Sequence, residues 1–352
     1  FTIAPGVPFL ESFAQSLMRG ELLTSFKYDP DQPHKLARCR IYVPTRRAAR
    51  ALRSEFADQI GHQSVILPDI RALGEVDDDL GFFENAPSVD LSQDEPISQV
   101  QAMLILGDLI LAWKKALPKA FSEQLQSVPL VAPANPSDAL WLAAELLSLL
   151  EASESEEIDL RKIDDINLQE HAQWWQLTLE FLKIVREYWP VRLKELRRQS
   201  NASHQINLLD RQTQNLITNG HDGPVIVAGS TGSLPATARL IKAVSMLEQG
   251  AVVLPGLDQD MRPEDWSYIF HYADDQKKFA PSEQLTAVVT QGHPQFGLAR
   301  LLYRIGLRVP DVYQVPKLGV ENAERQARGK IITNAMLPSA MTTIWADTAH
   351  RN

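Results

Sequence analysis

The 352-residue chain has a single cysteine, Cys39, which excludes internal disulfides and cysteine-rich metal centres. Cys39 precedes an apolar run and reads as a small core residue of a protein held in a reducing cytoplasm. His34, His62, His171, His204, His221, His271, His293 and His350 are scattered, with no HExxH or HxH pair, so no metal site is expected. Only His293 has a suggestive setting, a Gly-His-Pro turn, and structural capping is its expected role. No GxSxG is present and Cys39 has no base nearby in the sequence, so nothing supports acyl transfer. No run approaches the ~20 apolar residues of a membrane span. Residues 1–20 have no basic n-region, and Glu11 and Arg19 interrupt any apolar core, so the start does not read as a signal peptide. A first residue of Phe1 rather than Met reads as a trimmed or partial chain. Positive charge is in deficit, with 35 Lys and Arg against 44 Asp and Glu. That balance argues against non-specific coating of nucleic acid and leaves room for a local basic groove.

What is present is globular: 44% hydrophobic and 22% charged residues, at a length that fits two or three domains. Residues 1–70 read β-α-β-α-β, with strands at 1–4, Ile41–Pro44 and Ser64–Pro68, and helices from Phe9 to Gly20 and from Thr45 to Ile60. Residues 74–96 read as a loop, and the adjacent carboxylates Glu75, Asp77, Asp78 and Asp79 as solvated rather than magnesium-binding. Residues 97–220 are helical in pattern, over 97–117, 137–152, 167–199 and 203–219, and Asn135-Pro136-Ser137-Asp138 is a start signal. Strand-helix-strand then returns, with Pro224–Gly229, a helix from Ser233 to Gln249, and a strand near 251–256. After 257 the pattern becomes irregular, with a helix at Leu298–Ile305 and a strand near 330. The expected fold is α/β, a parallel sheet with a helical block inserted, in segments 1–96, 97–220 and 221–352.

Such a sheet invites a phosphate loop after its first strand, but Pro5-Gly6-Val7-Pro8-Phe9-Leu10 has no Gly-Lys-Ser/Thr. Its two prolines remove two backbone donors, so ATP hydrolysis is not expected and no cofactor is assigned. After Val225–Val227, where a metal-binding acid would stand, Ala228 and Gly229 stand instead. Ser230, Thr231 and Ser233 either cap the following helix or contact a phosphate. Trp113, Trp141, Trp174, Trp175, Tyr188 and Trp189 read as core, with base stacking open only to those left exposed. Arg192, Lys194, Arg197 and Arg198 suit the C-terminal end of their helix.

The most informative stretch is Arg40-Ile-Tyr-Val-Pro-Thr-Arg-Arg-Ala-Ala-Arg50. A buried strand feeds a helix whose first turns carry Arg46, Arg47 and Arg50. Cations at the positive end of a helix dipole are unfavourable unless an anion neutralises them, and a phosphate is the obvious anion. A solvated basic face is the plain alternative.

Taken in order, FTIAPGVPFLESFAQSLMRGEL, RIYVPTRRAARALRSEF, ILPDIRALGEVDDD, VIVAGSTGSLPATARLIKAV, VVLPGLDQDMRPEDW and HPQFGLARLLYRIGL resemble the N-terminal part of the AddB family of double-strand break repair proteins, alphaproteobacterial type. The resemblance spans essentially the whole chain and implies an N-terminal fragment of a longer protein. It implies a superfamily 1 helicase-like core of P-loop type, with 1A-like and 1B-like parts, that has lost its ATPase motifs. It implies a DNA repair and recombination role with hotspot recognition, single-stranded or end DNA as ligand, and an AddA-type helicase–nuclease subunit as partner. The nuclease of such proteins would lie beyond these residues, so no catalytic residue is assigned here. Thr45, Arg46, Arg47 and Arg50 match the place of a helicase motif that touches the strand's backbone. Two other readings stay open: an α/β enzyme holding a phosphorylated small molecule through Ser230, Thr231 and Arg46, and an assembly surface for the helicase partner.

Overall fold

The computed structural model describes residues 1–61, 66–73, 94–116, 133, 135–165, 172–274, 277, 279–315, 323–338 and 340–342. The chain forms two compact units, one of Phe1–Glu75 with Leu209–Asn352, the other of Val76–Leu208.

The first unit opens with β1 (Thr2–Ile3), a turn, and α1 (Phe9–Arg19). α1 buries Phe13 and Leu17 one turn apart. Gly20 ends it at φ 78°, where its N–H and that of Glu21 close onto the carbonyls of Leu17 and Ser16. After the single turn α2 (His34–Ala37), β2 (Arg40–Val43) buries Ile41, Tyr42 and Val43. Cys39 sits fully buried in the same core, and burial pushes its thiol up to about 12, as befits an inert packing residue. α3 (Arg46–Ile60) follows, then β3 (Asp69–Ala72). The third strand was expected at Ser64–Pro68; residues 62–65 lie outside the described ones, and 66–68 are not strand. Pro68 offers no N–H to a ladder. Pairing begins at Asp69, whose N–H donates to the Cys39 carbonyl at 2.9 Å and whose carboxylate holds Arg40 at 2.9 Å. The carboxylates from Glu75 to Asp79 also lie outside the described residues.

The second unit is helical, as its periodicity predicts. Short β4 (Glu95–Pro96) precedes α4 (Gln99–Ala116) and α5 (Pro136–Ser155). Asn135 and Asp138 form the reciprocal cap at the start of α5, with bonds of 3.0 and 3.3 Å. Gly107 lets α4 approach α5 closely, since a Cβ there would meet Leu140 at 3.2 Å. α6 (Ala172–Lys183) continues through a wider turn, Ile184–Tyr188, into α7 (Trp189–Leu196). Leu106, Ile110, Trp113, Leu146, Ile184 and Trp189 make the core, with Trp113 edge-on to Phe181 at 5.1 Å. β5 (Arg198–Gln199) pairs in parallel with Glu95–Pro96, which the sequence pattern had placed in a loop. Arg198 is bonded to Glu95 and Arg192 to Glu195 at 2.6 Å, so that basic face is partly neutralised.

α8 (Asn201–Asn219) leads to β6 (Val225–Ala228), α9 (Pro235–Ser245) and β7 (Gly250–Pro255). The sheet order is β1-β7-β6-β2-β3 and every pairing is parallel, giving the expected α/β parallel sheet. Ile41, Val43, Ile226, Ala228, Ala251 and Val253 share one core with Phe13, Leu17, Leu52 and Phe56 of α1 and α3. The alternate residues Tyr42, Val225, Val227 and Leu254 are buried too, so both faces of the sheet are covered. The connections β2-α3-β3 and β6-α9-β7 run in opposite directions along the sheet. Right-handed crossovers then put α3 on one face, beside α1, and α9 on the other. Strand order therefore reverses between the neighbours β2 and β6.

The region after 257, read as irregular up to its last helix, forms α10 (Pro263–Tyr272) and α11 (Pro281–Gln291). The helix expected at Leu298–Ile305 is present as α12 (Phe296–Ile305). α10 and α11 both open on a proline followed within the first turn by acids, Glu264 and Asp265 in one and Glu283 in the other. The strand expected near 330 is a helix, α13 (Ala323–Ala335); its β-branched pair Ile331 and Ile332 is exposed rather than laid in a sheet.

Candidate functional site

In open α/β sheets, ligands collect outside the carboxyl ends of the strands where strand order reverses. Here that crevice lies between the turn after β2, Pro44–Thr45, and the turn after β6, Gly229–Leu234. The ladder pairs Tyr42 with Val227, which sets the two turns side by side. The structure thus brings the two groups of sequence-predicted site residues, Thr45 to Arg50 and Ser230 to Ser233, to one edge of one sheet.

On the β2 side, Thr45 is the N-cap of α3: its backbone is extended and its Oγ1 accepts from the Ala48 N–H at 3.1 Å. The hydroxyl proton stays available as a donor. Thr45, Arg46, Arg47 and Arg50 are all exposed, and α3 has no acidic residue in its first turn. Arg46 and Arg50 stand four apart and Arg47 and Arg50 three apart, so like charges face each other at roughly 0.2–0.5 kcal/mol of repulsion per pair. Among the described residues, neither Arg47 nor Arg50 has an ion-pair or hydrogen-bond partner for its guanidinium. Arginines at the other end of β2 and β3 behave differently. Arg40 and Arg71 converge on Asp69 at 2.9 and 3.0 Å, and Arg53 donates to the Ile70 carbonyl at 2.6 Å. Burial pushes the Asp69 carboxyl up, and the hydrogen bonds and charges of Arg71 and Arg40 outweigh it, holding the group below the usual carboxylate value.

On the β6 side, the capping reading of Ser230, Thr231 and Ser233 is corrected. The N-cap of α9 is Leu234, followed by Pro235, and no side chain caps it. Ser230 is buried and its Oγ accepts from the Gly232 N–H at 3.2 Å, inside the turn itself. Leu234 has no side-chain acceptor to offer, and Pro235 removes only its own N–H from the unpaired donors of the first turn. Thr231 and Ser233 are exposed at the turn. The Ser233 carbonyl accepts from Arg304 Nη1 at 2.7 Å.

The turn after β1 is packed differently. α1 begins at Phe9 after Pro8, with no side-chain cap. The Phe9 ring lies against Gly229, where an added Cβ would stand 3.1 Å from it, and stacks on Phe13 at 6.4 Å and 6°. Gly229 also has φ 77°, a backbone conformation that favours glycine, and the ring leaves little room for a Cβ. Sequence reasoning missed this contact. Proline and phenylalanine in the turn were visible, whereas the partner came only with the strand order.

His293 plays a local part: its Nδ1 accepts from the Gln295 N–H at 3.1 Å, and burial lowers its pKa below the usual imidazole value. Gln295 in turn donates to the Gly256 carbonyl at 3.0 Å, tying the Gly-His-Pro turn to the end of β7. Among the described residues, no group of three His, Cys, Asp or Glu is placed to hold a metal ion, and no helix is long and apolar enough to cross a membrane. Trp141 is 64% exposed and Tyr188 52%, while Trp113 and Trp189 are core. The chain matches no known protein-family model, and no curated protein matches it.

Proposed function

We propose that this chain is a non-catalytic, helicase-like module that engages single-stranded DNA, within a helicase–nuclease that resects double-strand breaks. The observation that carries the reading is the start of α3: exposed Arg46, Arg47 and Arg50, no acid in the first turn, at the crevice where strand order reverses. Three guanidinium groups at the positive end of a helix are stabilised by a polyanion laid across them. The packed β1 turn supports the absence of ATPase chemistry, since the Phe9 ring occupies the space beside Gly229. The ordered resemblance to the AddB family supports the larger setting: a superfamily 1 type core, a cytoplasmic complex with an AddA-type subunit, and a role in recombinational repair.

Fluorescence anisotropy with labelled oligo-dT across a salt series tests this directly. The logarithm of the affinity should fall linearly with the logarithm of salt, by about 0.7 for each phosphate contact. A flat salt response, or no binding at low salt, removes the reading. The same crevice invites a phosphorylated small molecule as the competing occupant. A thermal-shift screen with nucleotides and sugar phosphates distinguishes it, because such a ligand raises the melting temperature without any oligonucleotide.

A further inference from the structure

The basic residues of α3 do not stop at Arg50. Arg46, Arg50 and Arg53 follow one another at spacings of four and three, so they share one stripe along the helix, and all three are exposed. Seven residues come within about 20° of two full turns, so Arg53 stands nearly in line with Arg46, about 10 Å further along the axis. Two sets of contacts fix which way the stripe faces. Arg53 Nη2 donates to the Ile70 carbonyl of β3 at 2.6 Å, so the arginine flank lies on the β3 side. Ala51, Glu55 and Asp58 make the opposite stripe. Beside it Gln59 Nε2 donates to Glu55 at 2.7 Å and to the Glu11 carbonyl of α1 at 3.2 Å, so that flank lies on the α1 side. Both acids of α3 are thus gathered on the flank away from Arg46, Arg50 and Arg53.

The partner of Arg53 is a neutral carbonyl, which leaves its charge uncancelled. Among the described residues it has no other hydrogen-bond or ion-pair partner, so the remaining N–H groups of its guanidinium fork stay open to an anion. A side chain already tethered by one bond loses less freedom when that anion arrives. We propose that Arg53 is a further phosphate-contact residue, and that the single strand leaves the crevice along the β3-side flank of α3 instead of passing over the helix toward α1. The proposal rests on the single-strand reading of the start of α3. Arg46 and Arg47 meet the strand at the crevice, and Arg50 and Arg53 take phosphate oxygens of the nucleotides that follow.

The test uses the 352-residue chain with labelled oligo-dT. It compares wild type, Arg53→Gln, Arg53→Lys, Ala51→Glu and the double variant Arg46→Ala with Arg47→Ala, each checked for folding by urea unfolding. Arg53→Gln and Ala51→Glu make the same change in net charge on opposite flanks of one helix. Arg53→Gln should lower the salt slope by about 0.7 and weaken binding roughly eightfold at 50 mM salt, narrowing to roughly threefold at 200 mM. Arg53→Lys keeps the charge and should recover the wild-type slope. Ala51→Glu should weaken binding by less than about twofold, since only the screened field of the added charge reaches the strand. Equal losses in Arg53→Gln and Ala51→Glu would overturn the proposal, because overall charge alone would then be acting. Arg53→Lys binding no better than Arg53→Gln would also overturn it, leaving Arg53 to fasten α3 to β3 and nothing more. If the Arg46/Arg47 variant is weakened while Arg53→Gln matches wild type, Arg53 is wrong and the α3 start stands. If wild type does not bind, both fall together.

Discussion

The turns after β1 and after β2 are built alike and do opposite things. Each leaves a buried parallel strand, passes a proline and opens a helix on the same face of the sheet. After β1 the helix opens with Phe9, carries Glu11 in its first turn and closes on Gly229 through an aromatic ring. After β2 it opens with a capped threonine and three exposed arginines. A strand-turn-helix fixes only where backbone N–H groups point; the side chains of the first turn decide whether an anion is admitted. One turn is sealed by packing, and the other, three strands along the sheet, is left open and cationic.

The largest expected effect breaks the sealed side. Phe9→Ala removes a ring wedged between Phe13 and Gly229 and should cost about 3 kcal/mol, read as a lower midpoint in urea unfolding. It should bring no ATP turnover, because the loop still has no lysine and no hydroxyl for magnesium. Turnover in this variant would show that the ring alone was blocking a working site. The next effect addresses the open side. Arg46→Ala with Arg47→Ala removes two of the proposed phosphate contacts, so single-strand affinity at 50 mM salt should fall roughly sixtyfold and the salt slope by about 1.4. Stability should stay level or rise slightly, since the substitution relieves repulsion among like charges at the helix start. A loss of stability equal to the loss of binding would mean these side chains hold the fold instead.

The contrast between the two turns was only half legible in the sequence. The strands were readable wherever a continuous apolar run met turn residues, as at Ile41–Val43 and Val225–Ala228, because burial on both faces leaves no room for polar alternation. The start of α5 was readable from Asn135 and Asp138, a cap made by residues three apart. β3 was misplaced because its register is set by a long-range pair, Arg40 with Asp69, rather than by local pattern. α10 and α11 announced themselves with proline and acids, but short helices are held mainly by tertiary burial, here of Trp266, Ile269 and Phe270. Ile331 and Ile332 carried a strand propensity that the fold does not use. The basic start of α3 could be seen in the composition. The contact of Phe9 with Gly229 depends on strand order, and no local signal encodes it.

A third prediction sharpens the division among the arginines. Asp69→Asn should cost roughly 1–2 kcal/mol, because Arg40 and Arg71 lose the charge they share. The folded-state pKa of Asp69 is depressed, so its contribution is present above the unfolded carboxylate value and disappears as pH falls through the folded one. Wild type should therefore lose stability in acid below about pH 4, and the variant should lose less over the same window. Single-strand binding should be the same for both at neutral pH. Weakened binding in the variant would mean that the arginine cluster at the amino ends of β2 and β3 is coupled to the one at the start of α3.

The smallest effect separates the two roles of Thr45. Thr45→Ala removes the cap on Ala48 and should cost about 1 kcal/mol. That loss alone says nothing of DNA, since fraying the first turn of α3 also displaces Arg46 and Arg47. Thr45→Asp is the informative substitution. Aspartate caps as well as threonine and suits the helix dipole, so stability should change by no more than about 0.5 kcal/mol. It also puts a negative charge where a phosphate is expected and should cancel about one contact, roughly eightfold in affinity at 50 mM salt. A variant that keeps both its melting temperature and its full affinity would place the strand away from the cap, toward Arg50. Loss of affinity with stability intact puts the backbone over the first turn, where the open β2 turn differs most from the sealed β1 turn.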